Sequence, residues 1–175
     1  MNLQEIRTRQ AAAEVGILNP VIKIDHKRPV TRLNEITKTL IFPKRILDYK
    51  ADKDIDVIFI GQISESRKEF LAEIAEKYPG TVIIPSLNGR TKETKNWDES
   101  YFRKMSRAKF TACPAGELPW SYRFFEAVLL RAIPIVDEPV DIYEGYHFLR
   151  IGEPLEYDES MVERNLEKAK RELML

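Results

Sequence analysis

From residue 54 onward, short apolar runs alternate with stretches in which apolar residues recur every three or four positions. The run Asp56–Gly61 is largely β-branched and aromatic and ends in glycine, which is typical of a strand buried on both faces. In the next stretch, apolar residues from Phe70 to Tyr78 follow helical spacing until Pro79-Gly80 ends the pattern. The alternation predicts a mainly parallel sheet with helices on both faces. Strands are predicted at 56–61, 81–85, 110–113, 133–136 and 147–151, and helices at 66–78, 98–108, 120–132 and 158–173.

The first fifty residues carry weaker patterns. Apolar residues between Leu3 and Ile17 have roughly helical spacing, residues 21–24 can form a short strand, and the apolar run Leu40–Phe42 is broken by Pro43. We therefore predict one α/β domain over residues 1–175. It is a three-layer Rossmann-like fold that carries residues 1–50 as an N-terminal extension.

Two local sequences predict where helices begin. Ser66–Glu69 has the form of a capping box, in which the first and last side chains bond each other's backbone amides. Asp98 stands before an apolar helical stripe and can cap it.

Composition narrows the functional classes. Of 175 residues, 43% are hydrophobic and 32% charged, an ordinary globular balance. Lys plus Arg and Asp plus Glu both number 28, so no long-range field attracts nucleic acid or an anionic membrane. A single cysteine, Cys113, excludes an intramolecular disulfide and a cysteine-based zinc site. With neither a signal-like segment nor an apolar span, we expect a cytoplasmic protein without a metal.

Two junctions between a strand and a helix can bind an anion. In an open parallel sheet, ligands bind beyond the carboxyl ends of the strands, where helix N-termini offer free N–H groups. At the first junction, Gly61 permits close approach of a ligand and Arg67 supplies a cation. The alternative is a turn glycine followed by a solvated arginine.

The second junction, Cys113–Ala127, is more specific. A loop rich in proline and glycine leads into a helix whose first turn contains Ser121, so hydroxyl and backbone donors converge where the helix dipole favours phosphate. Arg123 and Glu126 are three residues apart and share a helix face, so the cation can face phosphate while the carboxylate accepts hydrogen bonds from a ribose. The alternative is an Arg123–Glu126 surface ion pair, with Trp120 and Tyr122 as core aromatics.

Two further polar segments flank these junctions. The loop Asn88–Asn96 holds Arg90, Lys92 and Lys95, which either cover a diphosphate or an acceptor or are simply solvated. Asp137 follows a predicted strand, where a carboxylate either orients a sugar or belongs to an ordinary polar turn.

The segment Lys109–Glu138 resembles the exostosin-like glycosyltransferases. Its sequence, KFTACPAGELPWSYRFFEAVLLRAIPIVDE, matches their pattern of a short strand, a C-P-x-G loop, an S-x-R-x-x-E-A helix and an I-P strand. The resemblance implies the GT-B architecture of two Rossmann-like halves, of which this chain is similar to the second, donor-binding half. The implied reaction transfers a sugar from a nucleoside diphosphate, most simply UDP, to the hydroxyl of a saccharide or other acceptor. It proceeds with inversion and without a cofactor or an obligatory metal.

The resemblance also implies roles for seven residues. Glu126 would bind the donor ribose, Arg123 and Ser121 would lie at the diphosphate, and the loop Pro114–Gly116 would border the nucleotide. Gly61 and Arg67 would close the other side. No catalytic base is assigned, because in such enzymes it usually comes from the acceptor half. The donor-binding residues implied are Gly61, Arg67, Pro114, Gly116, Ser121, Arg123 and Glu126.

The chain departs from the family pattern in two respects. About fifty residues before Asp54 are too few for a second Rossmann-like half, so we expect a second copy or another protein to supply the acceptor half. Arg131-Ala132 stands where the family usually has glycine, which alters the end of the preceding helix. The missing half leaves open a non-catalytic module that binds a saccharide or a protein. Action on nucleic acid has little support at zero net charge.

Overall fold

The N-terminal region forms a helix, a small sheet and a short 3₁₀ helix. The structure is a computed structural model that describes residues 1–86 and 89–175. Helix α1 spans Leu3–Glu14, and the Asn2 side chain caps it by accepting a hydrogen bond from the Glu5 amide. The helix and the first strand predicted for this region are confirmed. Strands β1 (Ile22–Asp25), β2 (Val30–Leu33) and β3 (Ile36–Lys38) form an antiparallel sheet, and a 3₁₀ helix spans Lys44–Asp48.

The remainder of the chain is a five-stranded parallel sheet with helices between the strands. The strands are β4 (Ile55–Gly61), β5 (Val82–Pro85), β6 (Ala108–Ala112), β7 (Ile133–Val136) and β8 (Leu149–Arg150), in the spatial order β5-β4-β6-β7-β8. The helices are α2 (Glu65–Lys77), α3 (Lys92–Asn96), α4 (Glu99–Ser106), α5 (Tyr122–Leu129) and α6 (Glu159–Leu173), with a 3₁₀ helix at Asp141–Tyr143. Within the described ranges, no helix is both long and apolar enough to cross a membrane.

Helices cover both faces of this sheet, which confirms the predicted three-layer Rossmann-like fold. Side chains alternate between the two faces along a strand. Val57 and Phe59 of β4 pack in one cluster with α2, whereas Ile58 and Ile60 pack in the other with α4 and α5. All four are at most 9% exposed, as expected for a strand buried on both faces.

The strand order reverses between β4 and β6, and this reversal creates a crevice. The chain leaves β4 through α2 on one face to reach β5, and it returns past β4 through α4 on the other face to reach β6. The loops that follow β4 and β6 therefore lead to helices on opposite faces of the sheet. A gap opens between them at the carboxyl ends of the strands, where open α/β sheets bind their ligands.

The run Leu40–Phe42 joins the N-terminal region to the main sheet. Leu40 and Phe42 belong to the main core, whereas Ile41 packs between α1 and β2 with Leu33 and other residues. The run is buried without being a strand, and its backbone is anchored by the Phe42 amide, which donates to the Leu173 carbonyl at 2.8 Å. The extension therefore shares its packing with the five-stranded sheet.

The predicted capping box at Ser66–Glu69 is wrong. Helix α2 begins at Glu65, and the carbonyl of Ser64 accepts hydrogen bonds from the Arg67 and Lys68 amides. Ser66 is therefore already inside the first turn, where its side chain cannot cap the helix. The cap predicted at Asp98 is confirmed, because its side chain accepts from the Tyr101 amide.

Helix α5 is shorter than the predicted 120–132 because it ends in a left-handed turn. Arg131 has a φ of +62°, and the Ala132 amide donates to the Ala127 carbonyl at 2.9 Å. This bond pattern is a Schellman motif, whose left-handed position is usually glycine. Arginine there carries a backbone cost that glycine would not.

Arg131→Gly is expected to be more stable than Arg131→Ala by about 1 kcal/mol, because both variants lose the arginine side chain but only glycine relieves the left-handed backbone. Urea unfolding of the two variants measures the difference. The control is the exposed α6 residue Glu163. There the order should reverse, and Glu163→Ala should be more stable than Glu163→Gly by about 1 kcal/mol. An alanine variant of Arg131 as stable as the glycine variant would contradict the left-handed assignment.

A half-buried lysine lies where α4 and α5 end. Lys53 Nζ donates to the Ser106 carbonyl at 2.7 Å and to the Leu130 carbonyl at 2.8 Å. Burial, with a smaller contribution from the charge of Arg131, lowers the pKa of Lys53 from 10.5 to about 8. The lysine supplies hydrogen bonds to two helix ends, but its charged form is penalised in the folded state.

Wild type is expected to gain stability over Lys53→Met as the pH rises from about 8 to about 10. In this window the unfolded lysine keeps a proton that the folded one has lost, so unfolding becomes less favourable as pH rises. Urea midpoints across this range measure the difference, and Lys50→Met, at an exposed lysine, should show a constant offset. A constant offset for Lys53→Met as well would mean that its pKa is normal.

Candidate functional site

The candidate site lies in the crevice where the loops after β4 and β6 diverge. The second loop ends at Ser121, whose Oγ caps α5 by accepting from the Arg123 amide at 3.2 Å. The Ser121 amide in turn donates to Tyr143 Oη at 2.7 Å, which fixes the backbone at the helix start. The N-terminus of α5 is thereby held toward the crevice, where its dipole favours an anion.

Two arginines lie against glycines of the loops. A Cβ at Gly61 would collide with Nη2 of Arg123, and a Cβ at Gly116 would lie 3.0 Å from Nη2 of Arg67. Arg123 also stacks on Phe59, with Cζ 4.7 Å from the ring centroid. A side chain at Gly61 would therefore displace the Arg123 guanidinium, whereas one at Gly116 would require the Arg67 guanidinium to shift by a smaller amount.

The two arginines come close enough to influence each other. Arg67 Nη1 donates to the Gln62 carbonyl at 2.9 Å, which holds the side chain over the loop. Burial, and next the like charge of Arg123, lower the pKa of Arg67. Since like charges repel, this pair is favoured when an anion lies between or beside them.

A third arginine pairs with the one deeply buried carboxylate of the crevice. Glu126 is 1% exposed; its Oε1 accepts from Tyr101 Oη at 3.1 Å and lies 3.8 Å from Arg90 Nη2. Arg90 Cζ lies 4.9 Å from the centroid of the Tyr101 ring. Burial lowers the pKa of Arg90, but the attraction of Glu126 and Tyr101 outweighs it and the net shift is upward.

Buried polar atoms without a hydrogen-bond partner concentrate at this crevice. Ten such side-chain atoms occur among the described residues, and six belong to residues lining one cleft of about 310 Å³. A buried polar group without a partner costs about 1–3 kcal/mol, so their concentration indicates a place for a polar ligand or ordered water. The six atoms are Arg67 Nε, Arg90 Nη1, Trp120 Nε1, Tyr122 Oη, Arg123 Nε and Glu126 Oε2.

The charge of the cleft favours an anion. Three arginines line it, against the buried carboxylate of Glu126 and the exposed one of Glu117. Its volume is at the lower end of the range for small-molecule sites. A metal is less suited to this lining, and no group of three or more His, Cys, Asp or Glu residues elsewhere in the described ranges is arranged to hold one.

A side chain after β7 holds the loop after β6. Asp137 Oδ2 accepts from the Ala115 amide at 3.3 Å, and its Oδ1 accepts from the Glu138 amide at 2.9 Å. Asp137 does not line the cleft itself. Of the two roles predicted for Asp137, the structure therefore favours a polar turn that also supports the loop.

The structure brings most of the predicted donor residues together. Arg67, Gly116, Ser121, Arg123 and Glu126 all line the cleft. The other two do not line it, because Gly61 lies behind Arg123 and Pro114 is buried within the loop.

The alternative of a surface ion pair between Arg123 and Glu126 is wrong. The two side chains make no contact within 4.0 Å among the described ion pairs, and the Glu126 side chain is 2% exposed. The reason is that α5 presents Glu126 inward to Tyr101 and Arg90, while Arg123 lies toward Gly61.

Sequence reasoning missed several residues of the cleft. The sequence did not decide whether Arg90, Lys92 and Lys95 cover a ligand or are solvated. In the structure Arg90 lines the cleft, whereas Lys92 and Lys95 are exposed. Trp120 and Tyr122 were expected as core aromatics, and Trp120 belongs to the core while Tyr122 packs against it. Both also line the cleft, which the sequence did not predict. The position of Tyr122 four residues before Glu126 places these two on one helix face, a signal that could have identified it. The predicted loop also includes Asn88, which lies outside the described residues.

Tyr101→Phe is expected to cost about 1–3 kcal/mol of unfolding free energy, because the buried Glu126 carboxylate loses its closest partner. Urea denaturation measures the loss. Tyr146→Phe is the matched control: Tyr146 is equally buried at 6%, but it donates to Glu172, whose side chain is 44% exposed and open to water. That variant should lose under about 1 kcal/mol, and equal losses would show that Glu126 does not depend on Tyr101.

Comparison with known proteins agrees with the resemblance found in the sequence. Residues 19–141 match the family model described as the Exostosin GT47 domain. The chain is 31% identical over 90 residues to a probable glucuronosyltransferase of Oryza sativa subsp. japonica, a match that covers 50% of this chain and 21% of the relative. It is 29% identical over 86 residues to a probable glucuronoxylan glucuronosyltransferase of Arabidopsis thaliana, covering 48% and 18%. The matches thus span about a fifth of the length of these curated relatives. Because the family model covers more than half of the chain, this protein belongs to the exostosin GT47 family of glycosyltransferases.

Proposed function

We propose that the cleft binds a nucleoside diphosphate sugar and that the chain is the donor-binding part of a glycosyltransferase. The observation that carries the proposal is the convergence of Arg67, Arg90 and Arg123, each with a buried and unpartnered nitrogen, beside the N-terminus of α5. Arginines and free helix amides are the groups that bind phosphate most strongly in proteins.

The diphosphate is assigned to the end of the cleft between the two glycine loops. Arg67 and Arg123 lie there against Gly116 and Gly61, with the capped start of α5 at Ser121. Burial and, next, repulsion from Arg123 lower the pKa of Arg67, and an anion at this point would relieve the repulsion. The same cations would stabilise the negative charge that develops on the leaving diphosphate.

We assign the nucleoside to the part of the cleft lined by Glu126 and Tyr122. Glu126 Oε1 is engaged by Tyr101 and Arg90, but Oε2 has no partner and is available to ribose hydroxyls. Tyr122 Oη is also buried and unpartnered. The loop Pro114–Gly116 would border the nucleotide, and a uridine nucleotide is the first candidate.

In the proposed reaction, an acceptor hydroxyl attacks the anomeric carbon of the sugar from the face opposite the diphosphate. A bond from that carbon to the acceptor oxygen forms as the bond to the diphosphate oxygen breaks, which inverts the configuration. A carboxylate base on an acceptor half, supplied by another domain or subunit, takes the hydroxyl proton. The names of the two relatives make UDP-glucuronate a donor to include among those tested.

Glu126→Gln is expected to weaken UDP binding roughly 10- to 100-fold, the range for losing hydrogen bonds to a charged group, while leaving pyrophosphate binding unchanged or tighter. The reason is that the substitution removes the ribose acceptor and also removes a negative charge from the arginines. Calorimetric titration of UDP, GDP, UDP-glucuronate and pyrophosphate measures both effects.

Glu117→Gln is the control, because this exposed carboxylate lines the same cleft. It should change UDP affinity less than threefold, since water already solvates its charge. If folded wild type binds none of the nucleotides, the proposal of a donor site is overturned. UDP binding that is unchanged in Glu126→Gln would remove Glu126 from the ribose.

A further inference from the structure

Helix α1 contributes to the cleft although it precedes the part of the chain that matches the family. The family model begins at residue 19, whereas α1 ends at Glu14. Leu3 lines the cleft, and Arg7, four residues later on the same helix face, is fully buried at 0% exposure. A fully buried arginine is rare and needs partners for its charge and its donors.

One side of the Arg7 guanidinium has an evident structural role. Nη1 donates to the carbonyls of Lys95 and Asn96 at 3.1 and 2.7 Å, and to Gln10 Oε1 at 3.0 Å. Cζ also lies 4.8 Å from the centroid of the Trp97 ring. These contacts fasten α1 to the segment before α4.

The other side of the guanidinium has no such explanation. Nε and Nη2 are buried and have no hydrogen-bond partner. Burial lowers the pKa of Arg7, and the groups that most oppose this shift are Tyr122 and then Glu126. Tyr122 Oη and Glu126 Oε2 are themselves buried without partners. Helices α1 and α5 thus both hold buried, unpartnered polar groups near the part of the cleft assigned to the nucleoside.

We propose that Arg7 is a positioning residue for the nucleoside end of the cleft. Its buried charge balances that of Glu126 and so favours the inward position of this carboxylate, whose Oε2 is available to a ribose. Its Nε and Nη2 form no hydrogen bond with Glu126 or Tyr122, so it acts through charge. The inference rests on the proposed nucleotide binding and extends the site to a helix outside the family-matched residues. It gives the arginines different roles. Arg7 acts near the nucleoside, whereas Arg67 and Arg123, which lie against Gly116 and Gly61, are assigned to the diphosphate.

The competing explanation is that Arg7 only fastens α1. Gln10→Ala separates the two explanations, because Gln10 Nε2 donates to the Asn96 carbonyl at 2.5 Å and so shares the fastening. Gln10 does not line the cleft. If Arg7 only fastens α1, variants of Arg7 and Gln10 should both lower stability and should leave the relative affinities for UDP, uridine and pyrophosphate alike.

The experiment measures binding of UDP, uridine and pyrophosphate to wild type, Arg7→Met, Arg7→Lys and Gln10→Ala, by calorimetry and ligand-observed NMR. We expect Arg7→Met to weaken UDP and uridine by at least about tenfold and pyrophosphate by less than about twofold. Arg7→Lys, which keeps the charge but not the planar donors, should lie between wild type and Arg7→Met. Gln10→Ala should lower the melting temperature and leave all three affinities within about twofold.

If Arg7→Met does not fold, Leu3→Ala tests the same helix at a half-buried position, with an expected loss of about threefold or more for UDP and none for pyrophosphate. Unchanged UDP affinity in the folded variants would overturn the role of α1 while leaving the proposed function intact. An equal loss of UDP and pyrophosphate in Arg7→Met would also overturn it. Wild type that binds none of the probes would instead overturn the proposed function, and the role of Arg7 with it.

Discussion

A carboxylate that is 1% exposed must be compensated by the protein around it, and much of the site follows from this requirement at Glu126. The compensation comes from separate parts of the chain. Tyr101 of α4 donates a hydrogen bond, Arg90 approaches from the segment after β5, and Arg7 of α1 lies within electrostatic reach. Removing one partner of a buried charge usually costs far more than a surface pair is worth, so these elements are held together by a shared charge.

The buried charge of Glu126 is only partly compensated by protein groups. Glu126 keeps one oxygen without a partner, and the arginines keep buried nitrogens in the same condition. Arg67 and Arg123 are also held near each other, although like charges repel. A fold selected only for stability would avoid both features. The unpartnered atoms and the nearby like charges both raise the free energy of the folded protein. An anionic ligand with hydrogen-bonding groups would relieve both on binding, which supports the proposed donor site.

The position of this site follows from topology. In the strand order β5-β4-β6-β7-β8 the chain changes direction between β4 and β6, so a crevice opens at that point of the sheet. Gly61 ends β4 and Gly116 lies in the loop after β6, and the absence of a side chain at each position leaves room for a guanidinium. Residues matched to the exostosin GT47 family supply these loops, and α1 closes one end from outside the matched range.

The sequence by itself determined the local elements and the family. Continuous apolar runs and helical spacing located the five parallel strands and helices α2, α4, α5 and α6 to within a few residues, because those patterns reflect burial of whole strands and of one helix face. The short helix α3 lies in a segment predicted as a loop. The sequence also placed Ser121, Arg123 and Glu126 at one helix start, since neighbours in a helix stay neighbours in any fold. Helix ends were less well predicted, because they depend on backbone geometry that side-chain periodicity does not report. Examples are the hydrogen bonds to the Ser64 carbonyl and the left-handed backbone of Arg131.

Only the tertiary structure decided which distant charges meet. Arg7 and Arg90 carry no local signal that distinguishes them from solvated arginines, because the contacts that bury them come from other elements. Arg7 donates to carbonyls of α3, and Arg90 lies against Tyr101 of α4 and Glu126 of α5. The tertiary structure also decided that Glu126 faces inward rather than toward Arg123, since the direction of a helix face depends on what packs against it. Local spacing sets which residues share an element, whereas burial and charge compensation between elements set which of them form a site.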